Sequence, residues 1–229
     1  MAEKMKSSFA LATPPLMLQD VAYSRLKELI VSGELPPGTF FSERQMAQML
    51  EMSTSPVRAA LKRLSSDGFV VISAQRGVSV KTLSVKELND IFEYRLALES
   101  FVVAQLCMQR DLPTLDSIEA NLREQLNSAE QDDITRHAHL DVSFHILLCD
   151  AHGNQEISNA LRLLKDRLNQ VAARVTRNKT GRSIDNYREH YELFQLIRQG
   201  KKNEAVDMLG KHLEFARQFY FDPENTLML

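Results

Sequence analysis

After residue 82 this chain shows one hydrophobic period only, and that period is helical. No alternating strand pattern interrupts it. Ser84-Val85-Lys86-Glu87 reads as a capping box that opens a long helix, with Leu88, Ile91, Phe92, Leu96, Val103 and Leu106 as its apolar stripe. A second helix is predicted from Pro113-Thr114 to about Glu130, and a third from Asp133 to Ala151, stopped by Gly153. A fourth runs from near Gln155 to about Val175, and residues 178–182 read as a polar loop. A fifth spans Ile184 to Gln199 and ends at Gly200; Asn203 caps a sixth, which continues to about Tyr220. Six amphipathic helices on short connections predict an antiparallel helical bundle.

The first third of the chain obeys different rules. Ser53-Thr54-Ser55-Pro56-Val57-Arg58 opens a short helix with Val57, Ala60, Leu61 and Leu64 on one face and Arg58 and Lys62 on another. Ser53 is placed to cap it, because a serine hydroxyl accepts a free N–H of the first turn. Pro56 is tolerated there, since first-turn residues have no intrahelical partner to lose. Gly68 stops the helix. Ser42 caps a preceding helix with Met46, Ala47 and Leu50 inward, and Glu51-Met52 makes the turn between the two. Val21, Leu26 and Ile30 pattern an earlier helix, followed by the Pro36-Pro37-Gly38 turn. Phe69-Val70-Val71-Ile72 and Val78-Ser79-Val80 flank Ala74-Gln75-Arg76-Gly77 as a hairpin with a basic tip. A helix-turn-helix followed by a basic hairpin is a winged helix, and its second helix suits a DNA major groove.

Charge agrees with that division. The net charge of −2 hides 10 Lys+Arg against 7 Asp+Glu in residues 1–82, and 18 against 23 in residues 83–229. The basic excess sits with the DNA motif and is modest, so binding is expected to rest on placed contacts and a dimer rather than on bulk charge. No run of about 18 apolar residues is present, so no membrane span is expected. The N-terminal stretch lacks a sustained apolar segment and reads as a loose tail. Cys107 and Cys149 are isolated and read as small core residues.

The bundle holds a second pattern. Asp141 and His145 are four apart and project from one helix face; His190 and His212 lie among stripe residues of later helices. One carboxylate and three imidazoles on inward positions can hold a borderline divalent ion. Spacing alone ranks ordinary hydrogen-bonded core histidines ahead of a metal site, because it cannot show that three helices converge. His137 reads as a surface residue or one behind the ligands, and His152 suits a helix C-terminus.

Residues 19–83 resemble the DNA-binding domain of the GntR family of bacterial transcription regulators. The resemblance rests on Gly33-Glu34-Leu35-Pro36-Pro37-Gly38, Ser42-Glu43-Arg44, Ser55-Pro56-Val57-Arg58 and Gln75-Arg76-Gly77. It implies DNA contacts from Arg44, Arg58, Arg76 and Gly77, with Ser53, Thr54, Ser55 and Lys62 on the same face. Many relatives carry arginine where this chain has Thr54. A bidentate guanine contact contributes roughly 1–3 kcal/mol of discrimination, so the operator should differ from the family's commonest one, or affinity should be lower. Residues 84–221 resemble the all-helical effector domain of the FadR subfamily, through Arg95-Leu96-Ala97-Leu98-Glu99, Asp141-Val142-Ser143-Phe144-His145, His152-Gly153-Asn154, Glu189-His190 and Lys211-His212-Leu213. That resemblance implies a divalent ion, zinc before nickel or manganese, on Asp141, His145, His190 and His212. It also implicates Arg95 in meeting an effector carboxylate, against the alternative of an intrahelical Arg95–Glu99 ion pair.

The expected fold is mainly α: a winged helix-turn-helix with a small β-hairpin wing, then an all-α antiparallel bundle. The expected divisions are a tail over residues 1–18, a DNA-binding domain over 19–83, a metal, effector and dimerisation domain over 84–221, and a tail over 222–229. The expected function is a cytoplasmic, homodimeric regulator, more repressor than activator, on a pseudo-palindromic operator, tuned by a small organic acid at the metal. The alternatives are the same regulator with a purely structural metal, and a metal-dependent hydrolase. For a hydrolase Glu189 is the one nearby carboxylate in sequence, and its place beside His190 is expected to turn it away. No nucleophile elbow, phosphate loop or cofactor fingerprint supports an enzyme.

Overall fold

The computed structural model describes residues 17–73, 76–109 and 115–221. The two expected tails therefore lie almost wholly outside the described residues, as do the wing tip at Ala74-Gln75 and the helix start at Pro113-Thr114. The described residues form α1 (Leu18–Ser32), β1 (Phe40–Phe41), α2 (Glu43–Met49), α3 (Thr54–Ser66), β2 (Val70–Ser73), β3 (Gly77–Val80), α4 (Val85–Leu106), α5 (Leu115–Glu130), α6 (Ile134–His152), α7 (Gln155–Asn178), α8 (Arg182–Arg198) and α9 (Lys202–Phe221). They divide into two compact units, one drawn from Met1–Lys27 and Phe40–Ser79, the other from Glu28–Thr39 and Val80–Leu229.

In the first unit, α2 begins on a complete capping box. The Ser42 side chain accepts from the Gln45 backbone N–H at 3.2 Å, and Gln45 Oε1 accepts from the Ser42 N–H at 2.7 Å. The turn into α3 places Glu51 at a φ of 55°, in the left-handed region. Val57, Ala60, Leu61 and Leu64 are all buried. Ser53 occupies the N-cap position, but its side chain makes no capping hydrogen bond. This corrects the expectation, and the sequence supplies the reason. Pro56 is the third helical residue and has no N–H to give, so one of the two usual donors to the cap is missing. The wing gains a third strand: the sheet order is β1-β3-β2, with Phe40 opposite Ser79 and Phe41 opposite Val78 in antiparallel register. A two-residue strand carries no alternation to read, so β1 was invisible in the pattern. Gly77 has a φ of 83°, and a Cβ there would stand 2.8 Å from the Phe41 carbonyl oxygen.

In the second unit, α6 packs on α7 and α5, α4 on α9, and α8 on α5 and α9. Its core includes Leu88, Leu106, Ile118, Phe144, Leu161, Leu168, Leu193 and Phe194, each nearly or wholly excluded from solvent. Ser84 and Glu87 form the expected capping box at the start of α4. Two details differ from expectation. Leu96 is 44% exposed, whereas Arg95 and Glu99 are buried. The inward stripe of α4 runs Leu88, Ile91, Phe92, Arg95, Glu99, Val102 and Val103, so two charged residues hold places that hydropathy assigns to apolar ones. Asn203 is not a cap but the second residue of α9, which starts at Lys202, two residues after Gly200 at a φ of 69°.

Candidate metal centre and nucleic-acid interface

Asp141 and His145 stand one turn apart on the buried face of α6; α8 brings His190 and α9 brings His212. One ligand atom from each lies within 4.8 Å of the others, and all four residues are buried. His145 Nε2 is 3.2 Å from His212 Nε2, which is 3.3 Å from His190 Nε2. Asp141 Oδ1 is 3.6 Å from His190 Nε2. Three ring nitrogens and a carboxylate oxygen therefore converge on one point.

The opposite ring nitrogens show why the Nε2 atoms face inward. His190 Nδ1 lies 2.8 Å from Gln125 Oε1, and His212 Nδ1 lies 2.7 Å from Glu189 Oε2. His145 Nδ1 is 2.6 Å from Glu99 Oε2, a close contact off the axis of a well-aligned hydrogen bond. Each Nδ1 meets an oxygen acceptor, so the proton belongs on Nδ1 and the lone pair on Nε2. Phe144 stacks on His190 with ring centroids 4.3 Å apart and restricts its rotation. The carboxylate is held as well, since Asn186 Nδ2 donates to Asp141 Oδ1 at 2.6 Å. Asn186 Oδ1 is in turn 3.0 Å from His137 Nε2. His137 is fully buried, so it is no surface residue; it stands behind the ligand set.

The electrostatics favour a cation. Burial pushes the His190 proton affinity well below its ordinary value, and the charges of His212 and His145 push it further. Burial also lowers His212, partly offset by its hydrogen bond to Glu189. Burial acts to raise Asp141, but the charges of His145, His212 and Arg95 prevail and keep it ionised. Lone pairs that face inward at these distances repel one another, and a positive ion at their centre removes that repulsion. Histidine–zinc bonds of about 2.0–2.1 Å place neighbouring ligand nitrogens about 3.3 Å apart in a tetrahedral arrangement. The residues present therefore fit a divalent ion bound through nitrogen and oxygen.

Beside Asp141 and His212 lies a cavity of about 20 Å³, enough for about one water. Arg95, Arg182, Asn186, Thr176 and apolar side chains of α7 also line it. Arg95 donates from Nε to Glu99 Oε1 at 2.7 Å, so the intrahelical ion pair is present, and it is buried. Its Nη2 has no partner. Arg182 was not foreseen: it is 3% exposed and grips both oxygens of Glu189 at 2.6 and 2.8 Å. Glu189 is not turned away, contrary to expectation; it supports His212 from behind. Burial acts to raise its pKa, but the hydrogen bonds from His212 and Arg182 hold it at about 2. With both oxygens occupied, it is badly placed to act as a base. Glu99, Gln125 and Asn186 were also missed as parts of the site, because only the fold brings them to the rings.

In the first unit, Arg44, Ser53, Thr54, Ser55, Arg58, Lys62 and Arg76 are all exposed, and Gly77 is half-buried. Arg58 Nε donates to Glu43 Oε2 at 2.7 Å. Arg63 bonds Asp20 at 3.2 Å and lies 4.0 Å above the ring of Tyr23. None of the helices among the described residues is long and apolar enough to cross a membrane.

Residues 18–80 match the family model described as "Bacterial regulatory proteins, gntR family", and residues 90–215, more than half the chain, match that of the FCD domain. The chain belongs to the GntR family. It is similar to the HTH-type transcriptional regulator YdhC of Bacillus subtilis (strain 168), at 30% identity over 83% of this chain and 85% of that protein. It is also similar to the gluconate operon transcriptional repressor of the same organism, at 30% identity over 85% of this chain and 80% of the repressor. A crystal structure of a GntR regulator from Rhodococcus sp. RHA1 has the same fold, with a TM-score of 0.70 at 20% identity over 87% of this chain and 95% of that one. The protein is thus a DNA-binding transcriptional regulator, and its relatives are regulators rather than enzymes. A buried aspartate–histidine cluster able to hold a metal sits in its helical unit.

Proposed function

We propose that this protein is a ligand-responsive regulator, a repressor in its ground state, whose operator affinity is set by a small carboxylate bound at a divalent metal in the bundle. Asp141, His145, His190 and His212 would hold the ion, in the manner of metal-binding FadR-type members. A bound ion supplies a Lewis-acid anchor for an oxygen donor. The observation that carries the reading is buried Arg95, whose Nη2 is unpaired and whose residue lines the same cavity as Asp141 and His212. An uncompensated guanidinium N–H in a buried site is costly, and an incoming carboxylate would satisfy it. Because the cavity admits about one water, an acid must displace side chains on entry. That displacement gives it a means of favouring one conformation over another. The DNA-reading surface would comprise Arg44, Ser53, Thr54, Ser55, Arg58, Lys62, Arg76 and Gly77. A homodimer would present two such surfaces to a pseudo-palindromic operator. The working divisions would be residues 19–83 for DNA and 84–221 for metal, effector and dimerisation. Repression is the reading favoured by the name of the similar gluconate operon repressor.

The test is metal analysis followed by a thermal-shift screen of small carboxylic acids, with metal present and after chelation. Stabilisation by an acid only in the metal-loaded protein supports the reading. The narrowness of the cavity favours one competing reading, a purely structural metal. In that case the ion alone raises Tm and no acid adds to it.

A further inference from the structure

α3 carries two guanidiniums, and the structure treats them differently. Arg63 is folded back onto its own unit, bonded to Asp20 and stacked over Tyr23. Arg58 is held by one edge only: its Nε donates to Glu43 Oε2 at 2.7 Å, while its side chain remains 58% exposed. An ion pair this exposed contributes little to stability. Its consequence is orientational. A free arginine samples many rotamers, and fixing it before contact removes that entropy cost from binding. With Nε occupied, the two terminal nitrogens are the edge left for a partner, and guanine O6 and N7 accept such a fork. Glu43 is itself firmly placed, as the first residue of α2 behind the complete Ser42–Gln45 capping box.

We propose that Glu43 is a positioning residue for sequence readout: its carboxylate holds Arg58 so that the terminal guanidinium edge meets a guanine in the major groove. The arrangement gives this chain a device where Thr54 offers no guanidinium. The proposal rests on α3 being the base-reading helix, and the two are separable by experiment.

Charge makes the test decisive. Glu43 is an anion beside a DNA-binding surface, so removing it should, on charge alone, tighten binding to every duplex. A positioning role predicts the opposite for the specific site. Fluorescence anisotropy of the full chain would compare DNA from upstream of its own gene with shuffled DNA of the same composition, near physiological salt. Glu43→Gln should bind shuffled DNA equally well or better, yet lose about tenfold in preference for the upstream fragment. Arg58→Lys, which keeps the charge but not the fork, should lose a similar amount, and Glu43→Gln should cost nothing further in an Arg58→Ala background. Preference unchanged in Glu43→Gln but lost in Arg58→Ala overturns the clamp alone. Preference unchanged in Arg58→Ala overturns the base-reading role of this helix, and the clamp with it. An equal loss from Glu43→Gln with and without Arg58 also overturns the proposal.

Discussion

His145 is wholly buried, with its Nδ1 against Glu99 and its Nε2 against His212. Replacing it with alanine removes one of the four proposed ligands and leaves Glu99 without a ring to face. We predict that His145→Ala and His212→Ala each lose bound metal when measured by elemental analysis, and that full occupancy in both would refute the ligand set. Gln125→Leu tests the layer behind: it should weaken metal affinity by about 10–100-fold without removing a ligand, because His190 loses the acceptor that fixes its tautomer. Metal titration by calorimetry checks it. At the wing, Gly77 combines a φ of 83° with a carbonyl oxygen 2.8 Å from any added Cβ. Gly77→Ala should therefore destabilise the protein by about 1–3 kcal/mol. An unchanged denaturation midpoint would show that the β1–β3 register can shift.

At the level of the element, α4 links ordinary helix capping to the site. Its capping box anchors a helix that delivers Arg95 and Glu99 into the interior. Hydrogen bonds from Lys81 and Ser84 hold Glu87 at about 2. A depressed carboxylate stabilises the fold above its unfolded value, near 4.5, and that contribution is lost as pH falls toward 2. Glu87→Gln should thus flatten the acid limb of the stability curve while changing little once the pH falls to about 2 or below. A limb of unchanged steepness would argue against the capping contact. The same helix shows where sequence reasoning succeeds and where it stops. Ser84, Glu87 and Leu88 announced its start, since capping and periodicity are local. Leu96 was misplaced because hydropathy assigns a leucine inward, whereas the buried stripe carries an arginine and a glutamate that compensate each other. In α3, Ser53 was read as a working cap although Pro56 removes a donor, a conflict already present in four consecutive residues. The Asp141/His145 pair was legible as one helix face. Its meeting with His190 and His212 was not legible from spacing, because it depends on how three helices pack. For the same reason Glu189 was expected to turn away, whereas it bonds His212, and Arg182 was missed.

For the whole molecule, the division of charge and period at residue 82 corresponds to two kinds of chemistry. One unit exposes a row of polar and basic side chains; the other encloses a buried aspartate–histidine cluster able to hold a cation, beside a narrow, arginine-lined cavity. If the two communicate, a ligand must bind one state of the protein better than another, typically by 1–3 kcal/mol of coupling. The direct measurement is the affinity of the full-length protein for DNA upstream of its own gene, taken metal-loaded, metal-loaded with an acid found by thermal shift, and chelated with the same acid. The account predicts a shift of at least about fivefold on adding the acid to the metal-loaded protein, and none after chelation. The same affinity in all three states, or an acid response that survives chelation, would contradict it.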